Sequence, residues 1–297
     1  MKIKRSFSDR CVAAFSYTFI FIIAVVCLYP LLMVLGVSFS DNTAVVKEGY
    51  RAIPRNFTLD TYRYLFAHSG MRILRSYGVT IFVTITGTLG AMLITSMIGF
   101  AVSIKSLKYR NVITYICNFT IIFSAGLIPW YYVCVKWYGF TDSYLGMIVP
   151  SMFSVFNMFL MRTYFSDIPD SLYEAARIDG ASWFTIYAKI AVPLSKTAML
   201  TVGMMYALSY WNDWWNALMF INDRDMFPLQ YYLYNILSNI NAISSGRIPA
   251  GAAANIKLPA ETVKMAVTMI TIGPIIFLYP FVQKYFVNGI MTGAVKE

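Results

Sequence analysis

Six apolar runs punctuate the chain, at approximately 12–37, 77–103, 112–133, 144–163, 196–220 and 262–283. Each is long enough to carry a helix across a bilayer, whose roughly 30 Å of hydrocarbon takes about 20 residues to cross. Hydrocarbon offers no partners to backbone N–H and C=O groups, so a crossing segment must satisfy them internally, as a helix does. Charged residues make up 13% of the 297 positions and hydrophobic ones 58%, whereas a soluble domain carries about 25% charged residues. The expectation is an all-α, multi-pass membrane protein with six transmembrane helices. An even number places both termini on one side.

Three regions follow: 1–72 as an N-terminal anchor helix and outer loop, 73–285 as the transmembrane core, and 286–297 as a C-terminal tail. Lys2, Lys4, Arg5 and Arg10 precede the first apolar run as they would a secretory signal. That run is too long for a signal's apolar region and lacks a small-residue cleavage site, so it reads as an uncleaved anchor. The positive-inside bias is weak. Lys105, Lys108 and Arg110 crowd one short inner turn, but Lys47, Arg51, Arg55 and Arg63 lie in the first outer loop.

Several function classes drop out. The net charge of +10 is scattered over loops and span ends, which suits anionic lipid headgroups better than nucleic acid. Cys11, Cys27, Cys117 and Cys134 include no C-x-x-C pair and sit in or beside spans as small apolar residues. His68 is the single histidine, so a metal site is not expected, and no cluster of acids, His or Cys suggests catalysis. There is no G-x-x-x-x-G-K-[ST] loop. If ATP drives this protein, another polypeptide binds it. A secondary transporter needs an intramembrane ion-coupling group, and Asp213 is the one clear acidic candidate.

The spans differ in chemistry. Gly87, Ala91, Thr95 and Gly99 recur every four residues and form a small-residue ridge suited to close helix packing. Gly126-Leu-Ile-Pro129, followed by Trp130, weakens the third span. A cavity-lining break, a packing kink and the end of the span all fit. Asn157, within an apolar run, is either interhelical glue or a substrate contact. The fifth span ends with Tyr210-Trp-Asn-Asp-Trp-Trp-Asn216. Asn212 and Asn216 are one helical turn apart and share a face, with Trp211 and Trp215 on a neighbouring one. Amides beside flat rings suit sugars. Trp214 falls roughly 27 Å up the helix from Lys196, at the level of an interfacial tryptophan belt. For Trp211 and Trp215 belt and substrate contact both stand, and Asp213 is either a wet interfacial acid or an intramembrane functional one. The outer loop that follows, with Asp223-Arg-Asp225, Pro228 and Ser244-Ser-Gly246, is too short for a catalytic domain and reads as a docking or gating surface or a solvated connector.

Residues 170–193 form a short mixed-polarity elbow between two spans. Ser171 and Glu174 have the S-x-x-E spacing of a capping box. Ala175 and Ala176 favour helix, and Gly180 sits where it would stop. Ser182 then caps a second helix carrying Trp183, Phe184, Tyr187 and Ile190, expected to end before Pro193. Glu174-Ala175-Ala176, followed by Gly180, Ile190 and Pro193, closely resembles the EAA loop of ABC-importer permeases. With Phe57-Thr-Leu-Asp-Thr-Tyr-Arg-Tyr-Leu-Phe66, Gly126-Leu-Ile-Pro129, Asn157, Trp211-Asn-Asp213 and the tail from Lys284 to Lys296, most of the chain is similar to carbohydrate-uptake ABC permeases, specifically the maltose-type second permease in its complex-oligosaccharide branch.

The resemblance implies a type I importer fold in the cell membrane with a cytoplasmic EAA coupling elbow and both termini inside. Its implied partners are a second, homologous permease, two cytoplasmic ATPases carrying ATP and Mg, an extracytoplasmic solute-binding protein and an oligosaccharide. Transport would proceed by alternating access, with no catalytic residue, metal or cofactor in this chain. Glu174 would be the polar contact or cap, Ala175 and Ala176 the small face entering the ATPase cleft, and Gly180 the turn, with Arg177, Asp179 and Pro193 in the same coupling segment. On residue chemistry, with the alternatives given above, the candidates for the substrate pathway are Trp130, Asn157, Trp211, Asn212, Asp213, Trp215 and Asn216. A permease for amino acids, peptides or ions would share the elbow. Glu297 stands where the family usually ends in glycine, which sets the tail apart.

Overall fold

Long helices dominate because the apolar runs leave the backbone no other way to pair its polar groups. The computed structural model describes residues 7–244, 261–274 and 276. The described residues contain no strand and divide into two compact units, one of 7–71, 235–244 and 261–274, the other of 72–234 with 276. The rest of the sixth run and the Lys284–Lys296 tail lie outside the described residues.

In the first unit, α1 (Phe7–Ser38) runs through Pro30 without ending. Gly36 lets the chain double back, since a Cβ there would stand 2.2 Å from the Ala52 carbonyl oxygen. α2 (Asn42–Glu48) starts on Asp41, whose carboxylate accepts from the Ala44 N–H at 3.2 Å. α3 spans Asp60–Ser103. Thr61 near its start meets Thr262, hydroxyl to hydroxyl, at 2.9 Å. Tyr50 bonds the Glu261 carboxylate, which with partial burial pushes the phenol up to about 12.

In the second unit the third run breaks at the Gly126–Pro129 weak point, and two runs expected to be continuous are broken as well. α4 (Arg110–Ile122) gives way at 123–126 to α5 (Leu127–Tyr132), and the two segments meet at 115°. Gly126, at φ +84°, makes the turn. Pro129 falls in the first turn of α5, where a missing N–H costs no bond. A π-helical turn, Val133–Trp137, extends α5. α6 (Tyr144–Ile148) passes through the Val149–Ser151 3-10 turn, and α7 (Val155–Ser166) continues at 52°. α8 (Asp170–Ile178) and α9 (Trp183–Ile186) form the elbow. A π turn over Tyr187–Ala191 and α10 (Val192–Leu194) lead to α11 (Lys196–Trp211), bent by 86° at Ser195. α12 (Trp215–Phe220) and α13 (Leu229–Ser244) follow, and residues 261–274 form α14. By length and composition, α3 and residues 11–38 of α1 can each cross a bilayer alone, and three more crossings arise when each bent pair counts as one span.

The ridge on α3 is a packing face. A Cβ on Gly87 would come within 2.6 Å of the Tyr210 ring on α11, and one on Gly99 within 3.2 Å of the Met158 carbonyl on α7. Ala91 and Thr95 between them are wholly buried. Two tyrosines on α11, one helical turn apart, serve the break between α6 and α7. The Tyr206 hydroxyl accepts from the Ser154 N–H at 2.9 Å and shares a bond with Thr95 Oγ1 at 2.6 Å, while the Tyr210 hydroxyl donates to the Ile148 carbonyl at 2.8 Å. Backbone groups freed at membrane depth need such partners, and here side chains supply them.

Candidate coupling elbow and translocation residues

One ring organises the elbow. Phe100, near the end of α3, has the rings of Phe165, Tyr173, Trp183 and Tyr187 around it at centroid distances of 5.7, 5.9, 6.5 and 5.5 Å. Tyr173 is the buried residue of α8, and its hydroxyl donates to the Phe165 carbonyl at 3.2 Å. Tyr187 pairs with Ser96 at 2.7 Å. Lys105 holds the start of α8 through Asp170 at 2.7 Å.

The turn itself is a Schellman motif. Ala181 N–H donates to the Ala176 carbonyl at 2.9 Å and Gly180 N–H to that of Arg177 at 3.1 Å. Gly180 adopts φ +82°, the left-handed region glycine reaches most easily. Asp179 is the exposed C-cap of α8. Ser182 caps α9 by accepting from the Thr185 N–H at 3.2 Å.

Three local expectations need correction. No capping box forms: α8 begins at Asp170 behind Pro169 with no side-chain cap, so Ser171 lies inside the helix. Glu174 is thereby an exposed carboxylate with no hydrogen bond among the described residues. The second helix does not stop before Pro193. The π turn over Tyr187–Ala191 shifts the bonding pattern just upstream, and Pro193 enters at the first turn of α10. Ala175 is exposed, but Ala176 turns inward against the core, so the pair does not form one outward face. The outward face of the elbow carries Leu172, Glu174, Ala175 and Ile178, the last 86% exposed.

The fifth-span cluster is also rearranged. α11 ends at Trp211 with Asn212 as its C-cap, and α12 begins at Trp215, so Asn212 and Asn216 do not share a helical face. Asn212 is exposed, its Nδ2 donating to the Leu208 carbonyl at 2.7 Å and its Oδ1 accepting from Gln230 at 3.1 Å. Asn216 is buried and bonds Ser151 Oγ at 3.0 Å and Asp213 Oδ2 at 2.6 Å. Asp213 Oδ1 accepts from the Asn216 N–H at 3.0 Å, so this carboxylate starts α12 in the manner of an N-cap. Trp214 stacks on Tyr234 at 4.6 Å and Trp215 is partly exposed. The Trp211 indole N–H is buried without a partner among the described residues. Trp130 is half-buried against Phe220, their rings 5.3 Å apart. Asn157, 6% exposed, has its backbone N–H on the Ser154 cap at 3.4 Å. Among the described residues no three His, Cys, Asp or Glu side chains gather as a metal would need.

Sequence reasoning missed Phe100, Ser151, Tyr206 and Tyr210. Pro150 was the available signal for the break that the two tyrosines serve. In the same unit, Asp142 accepts from the backbone N–H groups of Asn222 and Asp223 at 2.6 and 2.9 Å. Those bonds hold its carboxyl below the usual carboxylate range.

The two amides should now behave differently. Asn216→Ala strips partners from Ser151 and Asp213 in a buried setting and is expected to cost about 1–3 kcal/mol. Asn212→Ala, at an exposed cap, should stay within about 0.5 kcal/mol. Thermal unfolding of the purified permease in detergent checks this, and equal midpoints for the two variants would contradict it.

No family model matches the chain. The polygalacturonan/rhamnogalacturonan transport system permease protein YtcP of Bacillus subtilis (strain 168) is 35% identical over 280 residues, covering 94% of this chain and 96% of that protein. This chain belongs to the permeases of ABC sugar-import systems. The arabinooligosaccharides transport system permease protein AraQ of Halalkalibacterium halodurans is 28% identical over 278 residues, 92% of this permease and 93% of its relative. Among solved structures, a bacterial ABC transporter involved in the import of the acidic polysaccharide alginate matches with a TM-score of 0.82 and 31% identity, over 96% of this chain and 100% of the matched one. As permeases of such systems are not themselves enzymes, the chain is a membrane transport subunit.

Proposed function

We propose that this permease translocates an oligosaccharide by alternating access, using six membrane-spanning helices with both termini cytoplasmic. Elbow 170–193 docks in the cleft of a cytoplasmic ATPase, two copies of which bind ATP and Mg. A second, homologous permease completes the pathway, and an extracytoplasmic binding protein delivers the sugar. The observation that supports this reading is the exposed elbow face of Glu174, Ala175 and Ile178, shaped by the Schellman turn at Gly180 and backed by the rings packed on Phe100. Ile178 at the helix end, with Glu174 and Ala175 beside it, offers a small mixed face that a cleft could receive.

The names of the relatives order the substrates to test. YtcP and the alginate transporter are both named for acidic glycans, so short uronate oligomers come first and neutral arabinooligosaccharides second. In proteoliposomes holding the permease pair, ATPases and binding protein, uptake of one of these oligosaccharides is expected only with ATP inside and binding protein outside. Uptake of amino acids or peptides in preference to every oligosaccharide would overturn the carbohydrate assignment. Labelling of Ser182→Cys by an impermeant reagent added outside intact cells would overturn the orientation.

A further inference from the structure

A cavity of about 620 Å³ opens beside the elbow, between the last turns of α3, the turn that follows it and the start of α9. Met97, Phe100 and Ile104 give it apolar walls along the end of a membrane-length helix, and Phe184, 65% exposed, adds an apolar rim. Lys108 and Arg177 stand in the same lining. The Arg177 guanidinium lies 4.7 Å from the Trp183 ring centroid, so its face is engaged by the ring while its N–H edge stays free for an anion. Neither cation belongs to an ion pair among the described residues, whereas nearby Lys105 is matched with Asp170 at 2.7 Å.

Apolar walls share the lining with two cations that have no acidic partner among the described residues, Lys108 lying 5.7 Å from the Tyr109 ring centroid, and this combination fits one ligand chemistry. We propose that this cavity binds an anionic phospholipid from the leaflet on the elbow's side, with an acyl chain along Met97, Phe100 and Ile104 and the phosphate on Lys108 and Arg177. A small soluble anion would leave the apolar walls unused. The cytoplasmic leaflet is the one rich in anionic lipid, which agrees with the orientation proposed above. The inference rests on that membrane placement and not on the coupling role of the elbow.

The test uses the assembled transporter in nanodiscs of phosphatidylcholine doped with a photoreactive phosphatidylglycerol, or with the matching photoreactive phosphatidylcholine, irradiated without ATP so that coupling plays no part. Peptide mapping is expected to place label within 97–108 and 183–187, about fivefold more from phosphatidylglycerol. Lys108→Gln and Arg177→Gln should each lower it about fivefold, Lys108→Arg should retain it, and Lys136→Gln should match the parent. Each cation near a charged surface contributes on that scale. Excess inorganic phosphate should not compete. Equal labelling by the two lipids, indifference to both substitutions, or competition by phosphate alone would each overturn the proposal. So would label that appears in the isolated permease and vanishes once the ATPase binds, which would make the cavity a protein-docking face.

Discussion

Gly180→Pro is expected to reduce sugar uptake to background while the permease still inserts in the membrane. The turn holds Gly180 at φ +82°, and proline is confined near −65°, so the Schellman geometry cannot form. The substitution also deletes the N–H that bonds the Arg177 carbonyl at 3.1 Å. Gly180→Ala separates conformation from crowding, because among the described residues nothing lies within 4 Å of a Cβ at that site. Its cost is the left-handed backbone alone, about 1–2 kcal/mol, and partial uptake should remain. Glu174→Lys reverses an exposed charge on the outward face and should lower both uptake and co-purification of the ATPase. Uptake is measured per assembled complex. Parental rates in both Gly180→Pro and Glu174→Lys would remove the elbow from coupling.

Tyr206→Phe combined with Tyr210→Phe is expected to destabilise the bent pair of α6 and α7. Each change keeps the ring and removes one hydroxyl, taking from the Ser154 N–H and Thr95 Oγ1 in one case, and from the Ile148 carbonyl in the other, the partner shown here. An orphaned buried group costs about 1–3 kcal/mol. Because the two hydroxyls serve one break, their effects should not simply add. Hydrogen exchange is expected to rise across 148–154 and the unfolding midpoint to fall. A double variant with parental midpoint and exchange would show that water, not tyrosine, satisfies the break.

The membrane class, the packing ridge on α3 and the helical turn at Gly180 were legible in the sequence because each depends on composition or on a spacing of a few residues. Gly87 and Gly99 announce a close approach whatever the partner. The break in the third run was legible from Gly126 and Pro129, but those in the fourth and fifth runs were not. Hydropathy averages over a window, and a window through 144–163 or 196–220 is equally apolar whether or not the helix bends within it. Asp213 illustrates the loss: on a continuous helix it was a stray acid beside a shared amide face, whereas it starts a second short helix and draws Asn216 away from Asn212. The capping box failed for a similar local reason, since Pro169 and Asp170 begin the helix ahead of Ser171. Phe100 was hidden because its significance lies in four rings from other segments, which no spacing rule reports.

The bend at Ser195 gives the elbow leverage. Trp183–Leu194 is a near-continuous helical arm set at 86° to α11, and at about 1.5 Å per residue it is roughly 18 Å long. A rotation of about 10° about Ser195 would swing its far end by roughly 3 Å, around half of one helical pitch. A modest pivot at the foot of α11 and a sizeable stroke at the tip are thus the same motion, geared by the length of one arm.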